Sequence, residues 1–137
     1  MKKILIAIIT FLCLPIYCLA ADYDIKHFYI DATLKENGDM EVAELIVLDG
    51  TFNGYERDIV YESDYSNYNA SNIENLSISA KYVSSVSFDT FNEVFDTFSE
   101  VDYANNGTMS KYVLTNLGNG LRVRMYYATD NDKTGFL

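Results

Sequence analysis

Residues 51–60 read TFNGYERDIV and directly follow a predicted strand. Asn53-Gly54 predicts a chain reversal, because Asn and Gly both tolerate the positive φ that a tight turn requires. Phe52 and Ile59 are predicted to face inward on either side of this reversal. The stretch is therefore interpreted as a shaped corner of the fold.

The charged residues of the same stretch also have a structural interpretation. Arg57 and Asp58 are each predicted to pair with residues beside the other, which would fix the corner. Together with Phe52, Gly54 and Ile59 they form a compact set whose predicted role is structural. No catalytic chemistry is assigned to them.

Alternation dominates the residues before this corner. Phe28, Ile30, Ala32 and Leu34 fall on one face, and a period of two over this length predicts a half-buried strand. An Asn-Gly pair at residues 37–38 predicts a hairpin turn. The returning strand becomes apolar on both faces near its end, so both faces are expected to be covered there.

Short strands and turns also fill the residues after the corner. Residues 111–117 and 121–128 flank a glycine-rich loop and predict a second hairpin. In residues 89–101, Phe side chains at helical spacing predict one short helix or helical turn that packs on the core. With no βαβ pattern, the chain is predicted to be all-β, an Ig-like antiparallel β-sandwich.

The first 21 residues differ from the rest and predict a secretory signal peptide. A short basic start precedes a long uncharged apolar run, and small residues stand where a signal peptidase cleaves. Cleavage after Ala20 or Ala21 would remove Cys13 and Cys18, leaving residues 22–137 without disulfides or thiol chemistry. An uncleaved membrane anchor is the alternative. Bulky residues before both cysteines argue against a lipid anchor.

Charge and composition exclude several classes of function. The chain has 10 Lys and Arg against 20 Asp and Glu, a net charge of −10. Such an acidic surface argues against binding nucleic acid or anionic lipid. No Gly-x-Ser-x-Gly elbow or phosphate-binding glycine loop is present, and His27 is the only histidine. We expect no enzymatic activity and no cofactor; an acidic hydrolase is the weakest alternative.

Metal binding is considered at two places. His27 alternates with the apolar face of its strand and is expected to be exposed, and zinc there would need carboxylates for its other ligands. Residues 130–135 read DNDKTG, which is similar to the opening of a calcium-binding EF-hand loop. The bidentate Glu of such a loop has no counterpart before the sequence ends. A polar turn is preferred, and no metal site is predicted.

Residues 61–72 form a polar stretch without a hydrophobic period and predict a long loop. Tyr61, Tyr65 and Tyr68 lie among Ser, Asn and Asp, a composition suited to recognising a glycan or a protein. A solvated connection explains the same composition, and both readings stay open. At the other end, residues 133–137 predict a strand that begins and then stops, as if the domain were truncated and one edge left unpaired.

The order of several short motifs resembles a known family. An Asp-x-Thr strand at residues 31–33 is followed by NGDMEV at residues 37–42, FNGYERDI at residues 52–59 and RVRMYY at residues 122–127. This order is similar to the extracytoplasmic N-terminal domain, of unknown function, of a family of predicted bacterial membrane proteins. The resemblance spans nearly all of residues 22–137.

The resemblance implies a β-rich domain outside the cytoplasm, followed in its relatives by membrane-spanning helices. Membrane association would then come from segments beyond this sequence, and the family supplies no catalytic residues. We therefore expect a non-enzymatic domain of a membrane-anchored surface protein that interacts with, or senses, the envelope. The alternative is a secreted module that binds a glycan or a protein through residues 61–72.

Overall fold

The computed structural model describes residues 22–62 and 72–137, apart from the side chains of residues 130–132. The described part contains seven strands and one five-residue 3₁₀ helix, Phe88–Asn92. The strands are β1 (Asp22–Leu34), β2 (Met40–Val60), β3 (Ser79–Tyr82), β4 (Asp96–Thr97), β5 (Ser99–Glu100), β6 (Lys111–Asn116) and β7 (Gly120–Phe136). The prediction of an all-β fold is confirmed; its Ig-like form stays a prediction.

All described strands belong to one sheet. Its order is β1-β2-β7-β3-β4, with β6 also paired to β7 and β5 paired to β6. The pairing of β5 with β6 is parallel, and every other pairing is antiparallel. The hairpin predicted between β6 and β7 is confirmed.

The long strands β2 and β7 form the central ribbon of the sheet. The first half of β2 pairs with the second half of β7, from Ile46 opposite Phe136 onward. The second half of β2 pairs with the first half of β7, ending at Val60 opposite Gly120. This one pair of strands therefore runs from Ile46 to Val60 of β2 and along the whole of β7.

The predicted chain reversal at Asn53-Gly54 is wrong. Strand β2 is 21 residues long and continues through this point. The residues before and after Asn53-Gly54 pair with β7 rather than with each other. The pairing register shifts twice, between Gly50 and Phe52 and between Phe52 and Gly54. These irregularities bend the strand, as β-bulges do.

Two glycines make the bend possible. Gly50 has a φ of +139° and Gly54 a φ of +154°, values that residues with a side chain rarely adopt. A Cβ on Gly50 would lie 2.2 Å from the carbonyl oxygen of Asp22, and a Cβ on Gly54 would lie 1.9 Å from that of Met125. The neighbouring strands thus approach β2 more closely than any side chain allows.

The main core lies where the two halves of β2 face each other. Ile46 and Leu48 from the first half and Phe52 from the bend are almost fully buried in it. Tyr55 and Ile59 from the second half pack against the same cluster. The remaining buried members come from the other strands and their connections: Ile78, Ala80, Phe98, Tyr112, Val123, Met125, Tyr127 and Phe136.

A smaller core covers the opposite face of the sheet. Leu45 and Val47 alternate with the main-core residues of β2 and pack here with Val83. The prediction that this part of β2 is covered on both faces is confirmed, since residues 45–48 are at most 4% exposed. Phe91 and Phe95 also pack against this smaller core.

The region predicted as one short helix is only partly helical. The 3₁₀ helix ends at Asn92, and β4 and β5 follow it. The phenylalanines divide between the two cores instead of forming one helical stripe, because Phe98 enters the main core. Their predicted packing role is confirmed, whereas Val94 is 90% exposed.

The C-terminal residues differ from both predictions made for them. Residues 130–135 lie within β7, not in a turn, and Asp132 is opposite Gly50. The segment is also not an unpaired edge: Phe136 lies between Ile46 of β2 and Ala80 of β3. The polar composition suggested a turn, but pairing with β2, joined by β3 from Thr134 onward, keeps the backbone extended.

Gly54→Ala should be far more destabilising than the same change at a glycine in open space. The new Cβ collides with backbone, so we expect a loss of about 3 kcal/mol or more in the free energy of unfolding. Gly118 has a φ of +85° with nothing within 4 Å of its Cβ position. Gly118→Ala should therefore cost only the conformational strain, about 1 kcal/mol. Equal losses in urea unfolding would show that close approach at Gly54 is unimportant.

Candidate functional site

Arg57 and Glu44 form a clasp between the two halves of β2. The Arg57 guanidinium donates from Nε to Glu44 Oε2 and from Nη2 to Glu44 Oε1, each at 3.0 Å. Its Nη1 donates to the carbonyl oxygen of Asp58 at 3.0 Å. Such two-point contacts are stronger and more directional than single ion pairs. The hydrogen bonds to Glu44 raise the pKa of Arg57 above its ordinary value.

The contact between Arg57 and Glu44 shows how sharply β2 bends. Thirteen residues separate Arg57 from Glu44, and a straight strand would hold them about 40 Å apart. Their contact requires the second half of β2 to lie across the first. Arg57 also places its guanidinium carbon 5.7 Å from the centre of the Phe28 ring. The clasp thus joins β1 and both halves of β2.

A second set of ion pairs lies on the other face of the β2–β7 ribbon. Asp58 is opposite Arg122 and accepts two hydrogen bonds from it, at 2.7 and 2.8 Å. Glu56 is opposite Arg124 and accepts a hydrogen bond of 2.7 Å from its Nε. Opposite charges directly across an antiparallel pair stabilise its register.

The structure explains the predicted motif residues but does not assemble them into one site. Phe52 is 2% exposed in the main core, and Ile59 packs at its edge. Gly54 shapes the bend, whereas Arg57 and Asp58 form ion pairs on opposite faces. The structural role predicted for these residues stays a prediction.

The predicted recognition loop lies mostly outside the described residues. Tyr61 directly follows β2, is half-buried, and donates its backbone N–H to the carbonyl oxygen of Asn119 at 3.2 Å. Tyr65 and Tyr68 lie outside the described residues, so recognition by this loop stays a prediction.

Sequence reasoning missed the partners of the clasp and of the outer ion pairs. Glu44 alternates with apolar residues on the core-facing side of β2, and this misplaced charge was a signal for an ionic partner. Glu56 and Asp58 alternate in one strand, as Arg122 and Arg124 alternate in another. That shared period of two could have indicated a cross-strand pairing.

One part of the described sheet, an arm at its end, contributes no buried residue to either core. We define the arm as residues 28–34 of β1 and residues 40–44 of β2, with the turn at residues 35–39 between them. Along residues 40–44, β2 pairs only with β1 among the described strands, since its pairing with β7 starts at Ile46. The arm is therefore a two-stranded ribbon, a structure that is marginal alone in water.

The tip of the arm is a turn at the predicted place. Its loop has five residues, with Leu34 opposite Met40, rather than the two that the Asn-Gly pair suggested. Lys35 donates its backbone N–H to the carbonyl oxygen of Asp39 at 2.8 Å, and the Asn37 side chain accepts from the N–H of Asp39 at 3.1 Å. These bonds fix the wider loop.

One face of the arm is apolar and exposed to solvent. Phe28 is 49% exposed and Ile30 54%, although β1 was predicted to be a half-buried strand with this face turned to the core. The prediction is wrong for β1 because the main core ends beside Phe28, under the clasp. The apolar face of the arm consists of Phe28, Ile30, Ala32, Leu34, Met40 and Val42.

The described residues hold no group of three or more His, Cys, Asp and Glu side chains placed to bind a metal. His27 is exposed, as predicted, and its ring stacks on Tyr29 with 5.7 Å between ring centres. An open depression near the bend is lined by Asp22, Asp24 and Asp49, but Lys26 already pairs there with Asp24 at 2.9 Å.

Comparisons with protein-family models, curated proteins and solved structures find no match to this chain. Across residues 22–62 and 72–137, no helix has the length and apolar character needed to span a membrane.

The clasp should show a measurable coupling free energy. In a double-mutant cycle with Arg57→Ala and Glu44→Ala, we expect the pair to contribute about 1–2 kcal/mol to the free energy of unfolding. Lys35 and Glu41 on the arm form a more exposed pair at 2.9 Å, so the matching cycle there should give about 0.5 kcal/mol or less. A coupling at the clasp no larger than this control would remove its structural role.

The Asp58–Arg122 pair should contribute to the loss of stability in acid. The hydrogen bonds from Arg122 lower the pKa of Asp58 below its ordinary value of 3.8. This contribution to stability is complete above pH 3.8 and is lost as the pH falls through the lower, folded-state pKa. Asp58→Asn should therefore flatten the dependence of unfolding free energy on pH below 3.8, and Arg122→Gln should do the same. An unchanged dependence in either variant would contradict this assignment.

Proposed function

We propose that this chain is a non-enzymatic interaction domain that works outside the cytoplasm, as part of a membrane-anchored bacterial surface protein. The observation that carries the proposal is the apolar face of the arm. The five large side chains on this face are between 48% and 73% exposed. Contiguous apolar surface of this kind marks contact sites in soluble proteins.

The construction of the arm supports a contact role. The clasp seals the main core at Phe28, so the apolar residues beyond it are not needed to close that core. A two-stranded ribbon gains stability when its apolar face is covered. Arg57 contacts the arm at Glu44 and Phe28. We assign the motif residues a role in positioning the arm and no role in binding a substrate.

The location outside the cytoplasm is supported by the sequence. The signal-like residues 1–21 have the three-part composition of an export signal. The resemblance to extracytoplasmic domains of predicted bacterial membrane proteins implies the same location. The acidic net charge of −10 favours solubility there and disfavours nucleic acid as a partner.

Site-specific photo-crosslinking in bacterial cells that make the full-length chain tests this proposal. A crosslinking residue in place of Leu34, which is 73% exposed, should give adducts in the envelope fraction. The same residue in place of Val94, which is 90% exposed outside the arm, is the matched control and should give few. Equal yields at both positions, or a chain retained in the cytoplasm, would reject the proposal.

A further inference from the structure

We propose that the partner of the arm is a second copy of this chain, and that the two arms pack with their apolar faces together. This inference rests on the proposed role of the arm as a contact surface. The arm of one copy binds the arm of the other, and a two-fold axis relates the two copies. The contact is made by Phe28, Ile30, Ala32, Leu34, Met40 and Val42 of each copy.

The area of the face suits a weak dimer. An aromatic side chain offers about 200 Å² when fully exposed and an aliphatic side chain offers less, and the five large residues of the face are between 48% and 73% exposed. The face therefore presents on the order of 400 Å² of apolar side chain. Two such faces together bury about 800 Å², an area typical of weak, concentration-dependent contacts.

The chemistry of the face makes it complementary to itself. Its side chains carry no charge, and Glu44, the next residue on the same side of β2, is neutralised by Arg57. A two-fold contact places the same patch on both sides, so a face with isolated charges would meet like charges in its copy. The six side chains of this face would meet their own apolar counterparts, with the paired Arg57 and Glu44 at the edge of the contact beside Phe28.

Two acidic residues within the strands of the arm lie away from that face. Asp31 and Glu41 point to the opposite side of the ribbon, because they alternate with the apolar residues. Lys35 pairs with Glu41 at 2.9 Å. A basic or an acidic partner would therefore find its complement on the other side of the arm, and a membrane of anionic lipid would be repelled by the acidic chain.

Sedimentation of the purified full-length chain tests the inference. The wild-type chain should sediment as a concentration-dependent dimer. Ile30→Thr/Val42→Thr replaces two side chains of the face with residues that still favour strands. It should raise the dissociation constant of the dimer at least tenfold. The thermal melting curve of the dissociated variant should stay within a few degrees of the wild-type monomer, since both side chains are half-exposed.

The matched control makes the same type of change outside the arm. Val60 and Val94 are 57% and 90% exposed, and Val60→Thr/Val94→Thr should leave the dissociation constant unchanged. A wild-type chain that stays monomeric at high concentration would overturn the inference. So would an association that the arm variant does not weaken, because it would run through other residues, such as the apolar N-terminal segment.

Ionic strength gives an independent readout. Two acidic copies repel each other, and salt screens this repulsion, so added salt should lower the dissociation constant. A dimer that weakens in salt would be held by ion pairs, which contradicts an apolar contact. If the chain is monomeric while Leu34 still crosslinks to other envelope components, the second copy is rejected and the interaction domain stands. If neither occurs, both proposals fail.

Discussion

The whole arrangement depends on the close approach of backbone to β2 at Gly50 and Gly54. No side chain fits at either position, since neighbouring carbonyl oxygens occupy the space of a Cβ. With this approach, one 21-residue strand bends enough for its halves to enclose the main core. The clasp between Arg57 and Glu44 then holds the bend from the open side. The two glycines allow β2 to bend, and the Arg57–Glu44 ion pair makes the bend rigid.

This bend also divides β2 into regions with different surroundings. Residues 45–48 are buried on both faces because the cores lie on either side of them. Before these residues, at residues 40–44, the same strand forms part of the arm, where one face is apolar and exposed. A single strand therefore contributes to the core, to its closure and to the proposed contact surface. The acidic residues do not need to form a site, because several of them pair across strands.

The local sequence pattern predicted which segments form strands better than it predicted which strands pair with each other. The alternation of β1 and β2 and the hairpin at Gly118 were visible in the sequence, because they depend on residues close together in the chain. The Asn53-Gly54 reversal was wrong because the outcome depended on which strand paired with β2, and β7 lies far along the chain. The exposed face of β1 was missed for a related reason, since alternation indicates which residues share a face and not whether another layer covers it. An ionic pairing of Arg57 was predicted, but its partner Glu44 was not.

The pairing of β2 with β7 has a consequence for the order of folding. Val60 is opposite Gly120 and Ile46 is opposite Phe136, so sequence separation increases along the ribbon. Such distant pairings are slow to form, because a long loop must close before any contact is gained. During synthesis β7 is made after every other described strand, so the central ribbon cannot begin to form until those strands have all been made. The arrangement therefore delays compaction until β7 has been made, which is compatible with the export proposed above, since a chain that crosses a membrane must stay extended until it has crossed.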